Sequence, residues 1–275
     1  MSNEQRIDPR TARDRLWTVL EELVPLKYAG SWDNVGRLLD PYCVDRPQKI
    51  FLTIDLTEAV YSEAFEWGAT EIVAYHPPIF GGLKRLTCDT DQGRVLLRAA
   101  QDGIGIYSPH SALDAIKEGM CDWLASPFFS SDSTPIEPAS DDPKVGAGRI
   151  ITLTHPLTLH ECLSRLQSIL KLSYMRVASG ISDRESANIS KIALCPGSGG
   201  SLFNPLRGPQ LFVTGEMQHH DVLHRVREGN AVILTEHTRC ERGYLPIFAK
   251  MIKAHVECPV KISNVDEDPL NIWIP

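Results

Sequence analysis

The sequence is short of several things, and each shortage removes a class of protein. No apolar run approaches the roughly 20 residues that a bilayer-spanning helix needs. The opening MSNEQRIDPRTARDRLW is polar and charged without an apolar core, so neither a secretory signal nor an anchor is expected. No two of the seven cysteines form a C-x-x-C pair. An odd, scattered set fits reduced thiols in a cytosolic or nuclear compartment better than a disulfide framework or a zinc finger. Basic charge is also scarce. With 28 Lys and Arg against 35 Asp and Glu, the formal net charge is -7, and general nucleic-acid binding is not expected. The glycine turn GSGG at residues 197–200 lacks the G-x-G-x-x-G order and the lysine of a phosphate loop, so it reads as a tight turn.

What is present is an ordinary globular balance: 43% hydrophobic and 23% charged residues over 275 positions, enough for one large or two smaller cores. Leu16, Trp17, Leu20 and Leu23 recur at helical spacing and predict a helix from about Pro9 to Leu23, stopped by Pro25. KIFLTIDL (Lys49 to Leu56) reads as a strand followed by the helix TEAVYSEAFEWG. Then come a strand at EIVAYH (Glu71 to His76), a helix around RVLLRAAQDG and a strand at IGIYS. This alternation predicts an α/β fold with a mostly parallel sheet. The Ser-, Pro- and Asp-rich stretch from Ser126 to Gly148 predicts a linker, dividing an N-terminal α/β half (1–130) from a C-terminal one (149–275) across residues 131–148. The second half reads as the strand RIITLTH, a helix with a T-x-x-E capping box at Thr158 and Glu161, and strands at KIALC, QLFVTG and AVILTEH.

The halves echo each other. KIFL matches KIAL, IVAYH matches LFVTGE, and RAAQDGIGIYSPH matches HRVREGNAVILTEH. In the last pair a histidine follows the strand, His110 or His237, and an acid follows four residues on, Asp114 or Glu241. Polar residues at the carboxyl ends of parallel strands face the crevice where ligands bind. If the next turn is helical, positions i and i+4 share a face, so imidazole and carboxylate can converge on one ion. His76 follows another strand and joins the set. A lone histidine in such a place is more often merely hydrogen-bonded; repetition favours a metal cleft between the two similar halves.

These residues also carry a family resemblance. SWDNVG (Ser31 to Gly36), DLT (Asp55 to Thr57), AYHPPIF (Ala74 to Phe80), YSPHSALDA (Tyr107 to Ala115), CPGSGGS (Cys195 to Ser201), TGEMQHHD (Thr214 to Asp221) and EHTRCERG (Glu236 to Gly243) resemble, in this order, the NIF-three-like family. Its bacterial members are called GTP cyclohydrolase I type 2 homologues. The resemblance implies two intertwined α/β domains, a dinuclear metal centre between them and a homo-oligomer, commonly a ring-like hexamer. It implies metal ligands at His76, Asp114, His237 and Glu241, with Glu241 bridging. Bacterial members have two histidines before the proline where this chain has Tyr75. YHPP resembles the eukaryotic branch, and a phenol of pKa about 10 is a poor ligand at neutral pH. One or two divalent ions (Zn, Fe, Mn or similar) are therefore expected, the second weakly held if at all.

Two function classes follow. A metal-dependent hydrolase acting on a nucleotide-like or cyclic small molecule would use the four ligands, with His110, Glu216 or His219 moving protons. The alternative is a non-catalytic metal-binding scaffold or regulatory partner, since the family name records interaction with a transcriptional adaptor. Glu216, His219 and His220 read equally as contacts behind the ligands and as helix capping and solvation. For Asp33 and Asn34 the expectation is a loop closed by side-chain hydrogen bonds, with Trp32 as packing, and for Asp55 a helix cap.

Overall fold

The computed structural model describes residues 9–42, 46–128, 130–181, 186 and 188–273. Residues 1–8, within the polar opening, and Cys43 lie outside the described residues. The chain divides into two compact units, Met1–Ala112 with Leu245–Pro275, and Leu113–Tyr244.

The first unit opens with α1 (Pro9–Leu23), at the predicted position, burying Leu16, Trp17 and Leu20. It continues through β1 (Gly36–Leu39), β2 (Ile50–Thr53), α2 (Glu58–Trp67), β3 (Glu71–Ala74), α3 (Asp91–Gln101) and β4 (Gly105–Ser108). Every residue of β2, β3 and β4 is buried, as expected of parallel strands covered on both faces. Helix α2 starts at Thr57, whose hydroxyl accepts from the Val60 amide, and ends at left-handed Gly68. The cap is thus Thr57 and not, as expected, Asp55. Helix α4 (His110–Ala115) follows β4 at once.

The second unit contains α5 (Met120–Ala125), β5 (Ser130–Thr134), β6 (Glu137–Pro138), β7 (Gly146–Ala147), β8 (Arg149–Leu157), α6 (Leu159–Leu170), β9 (Arg176–Ser179), β10 (Ile189–Ser198), α7 (Gly200–Phe203), β11 (Leu211–Glu216), α8 (His219–Arg227) and β12 (Ala231–Leu234). The capping box of α6 forms as predicted: the Thr158 hydroxyl accepts from the Glu161 amide, and the Glu161 carboxylate accepts from the Thr158 amide. Helix α9 (Leu245–Lys253) and β13 (Val260–Ile262) return to the first unit.

Strand order in the first sheet is β1-β4-β3-β2-β13, and in the second β5-β8-β10-β11-β12-β9. Both hold a run of parallel strands in sequence order, β2-β3-β4 and β10-β11-β12, flanked by an antiparallel strand beside the last member, β1 or β9. The sequence echo is therefore an echo of topology. Two boundaries differ from expectation. Residues 131–148 are no bare linker, because β5 pairs with β8 and β6 with β7 inside the second unit. The C-terminal segment belongs to the first unit, where the Asp266 carboxylate accepts the Ile54 amide at 2.7 Å and Glu63 of α2 accepts from Lys261 and Ser263. Among the described residues, no helix is long and apolar enough to cross a membrane, and all six cysteines are free.

Candidate functional site

In the first unit the polar residues gather at the carboxyl ends of β2, β3 and β4. The ladder runs on past β3, where Tyr75 and His76 donate their amides to Thr53 and Ile54. His76 Nδ1 lies 2.8 Å from Asp55 Oδ1, at the end of the neighbouring strand. Since a carboxylate only accepts, Nδ1 carries the hydrogen of this contact, and Nε2 is the ring nitrogen left for a ligand on the far side. His110, after β4, repeats the device: its Nδ1 lies 2.7 Å from Asp33 Oδ1. Asp33 Oδ2 accepts the Ser111 amide at 3.1 Å and the Ser111 hydroxyl. Burial pushes the Asp33 carboxyl up, but the bonds from His110 and Ser111 outweigh it and hold the group below the usual carboxylate range.

His110 has a φ of 28°, an uncommon conformation for a residue with a Cβ. Its ring is approached edge-on by Trp32, Tyr75 and Phe80, with centroids 5.9, 5.3 and 6.2 Å away, and the His76 ring lies at 5.5 Å. Trp32 is 65% exposed, so it is not the packing residue expected. Asn34 donates to the Ile79 carbonyl, so its side chain ties this loop to the one carrying Phe80 and does not close its own.

In the second unit His237 follows β12. Its Nδ1 lies 3.0 Å from Oε1 of Glu216, the last residue of β11, and its Nε2 is 3.5 Å from Oε1 of Glu241. The i and i+4 positions meet across a 3-10 turn, Thr238–Cys240, and Glu241 is 1% exposed. The preceding residue, Glu236, is left-handed at φ 64° and is held by Arg176 at 2.9 Å. Three histidines that each follow a parallel strand thus turn Nδ1 onto a carboxylate.

The GSGG segment is not the expected tight turn at its start: Gly197 lies near the end of β10, where the pairing with β11 shifts register between Cys195 and Ser198. The φ of Gly197 is 60°, and a Cβ on it would lie 2.7 Å from Glu241 Oε1 and 3.1 Å from His237 Nε2. The glycine makes a cradle that a side chain would fill. Asp114 lies one turn after His110 in α4. Burial pushes the Cys195 thiol well above its usual value, and the charges of Asp114 and Glu241 act in the same direction. His219 opens α8 beside His220 and borders a cavity with Met217, Val222, Val232 and Leu234. No side chain caps α8 at Gln218.

The model of the Duf34/NIF3 (NGG1p interacting factor 3) family matches residues 11–269. The chain belongs to this family. Among its eukaryotic relatives, the protein NIF3 homolog of Schizosaccharomyces pombe is 38% identical over 93% of this chain and 96% of its own length. NGG1-interacting factor 3 of Saccharomyces cerevisiae is 34% identical over 96% and 98%. The fold of the Bacillus cereus protein related to NIF3 superposes with a TM-score of 0.80 over 94% of this chain and 98% of the other, at 17% identity. Reduced HcgD of Methanocaldococcus jannaschii gives 0.77 over 94% and 98%, at 19%. The family's α/β architecture is thus that of this chain.

The residues missed at the sequence level are Asp55, Asp33 and Gly197. The first two stand at strand or loop ends, where an acid caps as readily as it orients a histidine. For Gly197 the signal was the glycine itself, whose demand for space is visible only once Glu241 and His237 face it.

Proposed function

We propose that this NIF3 family member binds a divalent metal through His76, Asp114, His237 and Glu241 and acts as a metal-dependent hydrolase on a nucleotide-like or cyclic small molecule. One observation carries the metal reading: the two ligand histidines, His76 and His237, each have Nδ1 within 3.0 Å of a carboxylate. A carboxylate behind an imidazole fixes the tautomer, orients the ring and raises the basicity of the outward nitrogen, which is how histidine ligands are ordinarily prepared. Glu241, buried within 3.5 Å of His237 Nε2, and the cradle at Gly197 suit a compact cation. A set of nitrogen and oxygen donors favours Zn, Fe or Mn, one ion rather than two given Tyr75. When bound, such an ion supplies Lewis-acid polarisation of a carbonyl or phosphoryl oxygen.

The chain's own residues provide the rest. Asp33 orients His110 by holding its Nδ1, which leaves Nε2 as the atom at which His110 would take a proton and return it to a leaving group. Glu216 serves as a positioning residue for His237, and His219, beside the cavity at α8, is a second proton carrier. The preparation of His110 favours catalysis over a passive scaffold. The scaffold reading draws on the name of the budding-yeast relative, an NGG1-interacting factor, which suggests a transcription-related partner. The resemblance further suggests a homo-oligomer, up to a hexamer, in the cytoplasm or nucleus.

The test is a panel of nucleotides and cyclic metabolites offered to metal-replete protein, His110→Ala and His237→Ala. The hydrolase reading expects turnover of at least one compound and a loss of about 100-fold or more in both variants. No turnover across the panel, with partner binding intact in both variants, would favour the scaffold.

A further inference from the structure

Two large aromatic side chains of the first unit stand in the open beside His110. Trp32 is 65% exposed and Phe80 54%, their ring centroids are 6.1 Å apart, and both approach the His110 ring edge-on within 6.2 Å. Water-exposed aromatic area of this size is a cost in a folded chain, and here nothing in the first unit's core needs it.

Neither ring is left to drift. The Trp32 indole lies across Gly30, where a Cβ would come within 2.6 Å of the indole nitrogen. The turn that carries it is closed by the Asp33 amide on the Gly30 carbonyl at 2.9 Å, and Gly30 donates to the Ser111 hydroxyl at 3.0 Å. Phe80 follows Pro77, Pro78 and Ile79; Gln92 binds the Pro78 carbonyl, and Asn34 binds that of Ile79. Asn34 is two residues from Trp32, so one hydrogen bond ties the two aromatic loops together. Just beyond Phe80, Gly81 and Gly82 have open space around them, and exposed Lys84 and Arg85 follow.

We propose that Trp32 and Phe80, whose rings are tilted 55° to each other, form an open aromatic corner in which one ring stacks on, and the other edges, the planar heteroaromatic ring of a phosphorylated ligand, with Lys84 and Arg85 meeting its phosphate. The inference rests on the hydrolase reading above and deepens it by assigning ring recognition to these residues. A held aromatic face binds a planar ring at little entropic cost, because the protein side is already ordered. The edge contacts with His110 would bring the stacked ring beside the proton-moving imidazole. Two cations a few residues from the corner complement an anionic substituent in a chain whose overall charge is negative.

The experiment is calorimetric titration of the full-length protein with adenosine and guanosine 5′-monophosphates, their nucleosides, and ribose 5-phosphate, with metal content measured on each sample. Proteins compared are wild type, Trp32→Ala, Trp32→Phe, Phe80→Ala and Lys84→Ala/Arg85→Ala. Expected are nucleotide binding by wild type, a weakening of about tenfold or more in each aromatic-to-alanine variant, and recovery in Trp32→Phe. The basic double variant should weaken nucleotides and spare nucleosides, and ribose 5-phosphate should bind poorly throughout. Full affinity in Trp32→Ala and Phe80→Ala, or no nucleotide binding by wild type, overturns the proposal. So does a Trp32→Ala protein whose sedimentation shows a lost contact between copies, since the patch then serves assembly. Wild type without metal would sink the metal reading and leave the aromatic corner's own test standing.

Discussion

The carboxylate of Asp55 stands 2.8 Å from Nδ1 of His76 and links the ends of two neighbouring parallel strands, β2 and β3. Replacing Asp55 by alanine frees the imidazole to rotate and to change tautomer. Metal affinity should fall about 10- to 100-fold, measured by competition with a chromogenic chelator. Unfolding should barely change, because the Asp55 side chain is 35% exposed.

Gly197→Ala tests the cradle in the second unit. A Cβ 2.7 Å from Glu241 Oε1, on a backbone at φ 60°, must push the carboxylate aside or distort the end of β10. A stability loss of about 1–3 kcal/mol is expected by chemical denaturation. Metal retention should fall with it. An alanine variant of unchanged stability and metal content would contradict the packing described.

Acid should loosen the C-terminal segment of the first unit. Burial works against ionisation of Glu63, but its bonds to Ser263, Lys261 and the Asn264 amide outweigh this and bring its pKa down to about 2. A carboxyl depressed in the folded state stabilises above its unfolded pKa. That contribution, on the order of 1–3 kcal/mol after solvent screening, is complete above about pH 4.5 and drains away as pH falls toward 2. Glu63→Gln should flatten this part of the stability profile, followed by thermal unfolding between pH 2 and 6.

Thr158→Ala removes the hydroxyl that accepts the Glu161 amide at the start of α6, and leaves the backbone amide of residue 158 still able to donate to the Glu161 carboxylate. The expected cost is about 1 kcal/mol, seen as a lower urea midpoint at constant slope, with metal content untouched.

What could be read from the sequence follows from what side chains report. Strands β2, β3, β4, β11 and β12 are short, largely apolar runs because both faces are covered, and they were legible, as was their repetition. β9, with the pattern RVAS half in water, and β5, with SSDST, carry no such signal, since their place in the sheet depends on backbone pairing. The same blindness made residues 131–148 read as a linker and hid the return of β13 to the first sheet. At the candidate site, the histidines and acids were visible at strand ends. Which carboxylate each imidazole would choose was not, because Asp55 and Glu216 meet His76 and His237 only across neighbouring strands, and Asp33 reaches His110 from a loop 77 residues away in the chain.

Metal content decides the central claim most directly. Purified wild-type protein and an Asp114→Ala/His237→Ala double variant, prepared identically, are analysed by elemental mass spectrometry. The account predicts close to one first-row transition ion per wild-type chain and a near-complete loss in a variant that remains folded. Equal metal in the two preparations, or none in either after reconstitution, would contradict it.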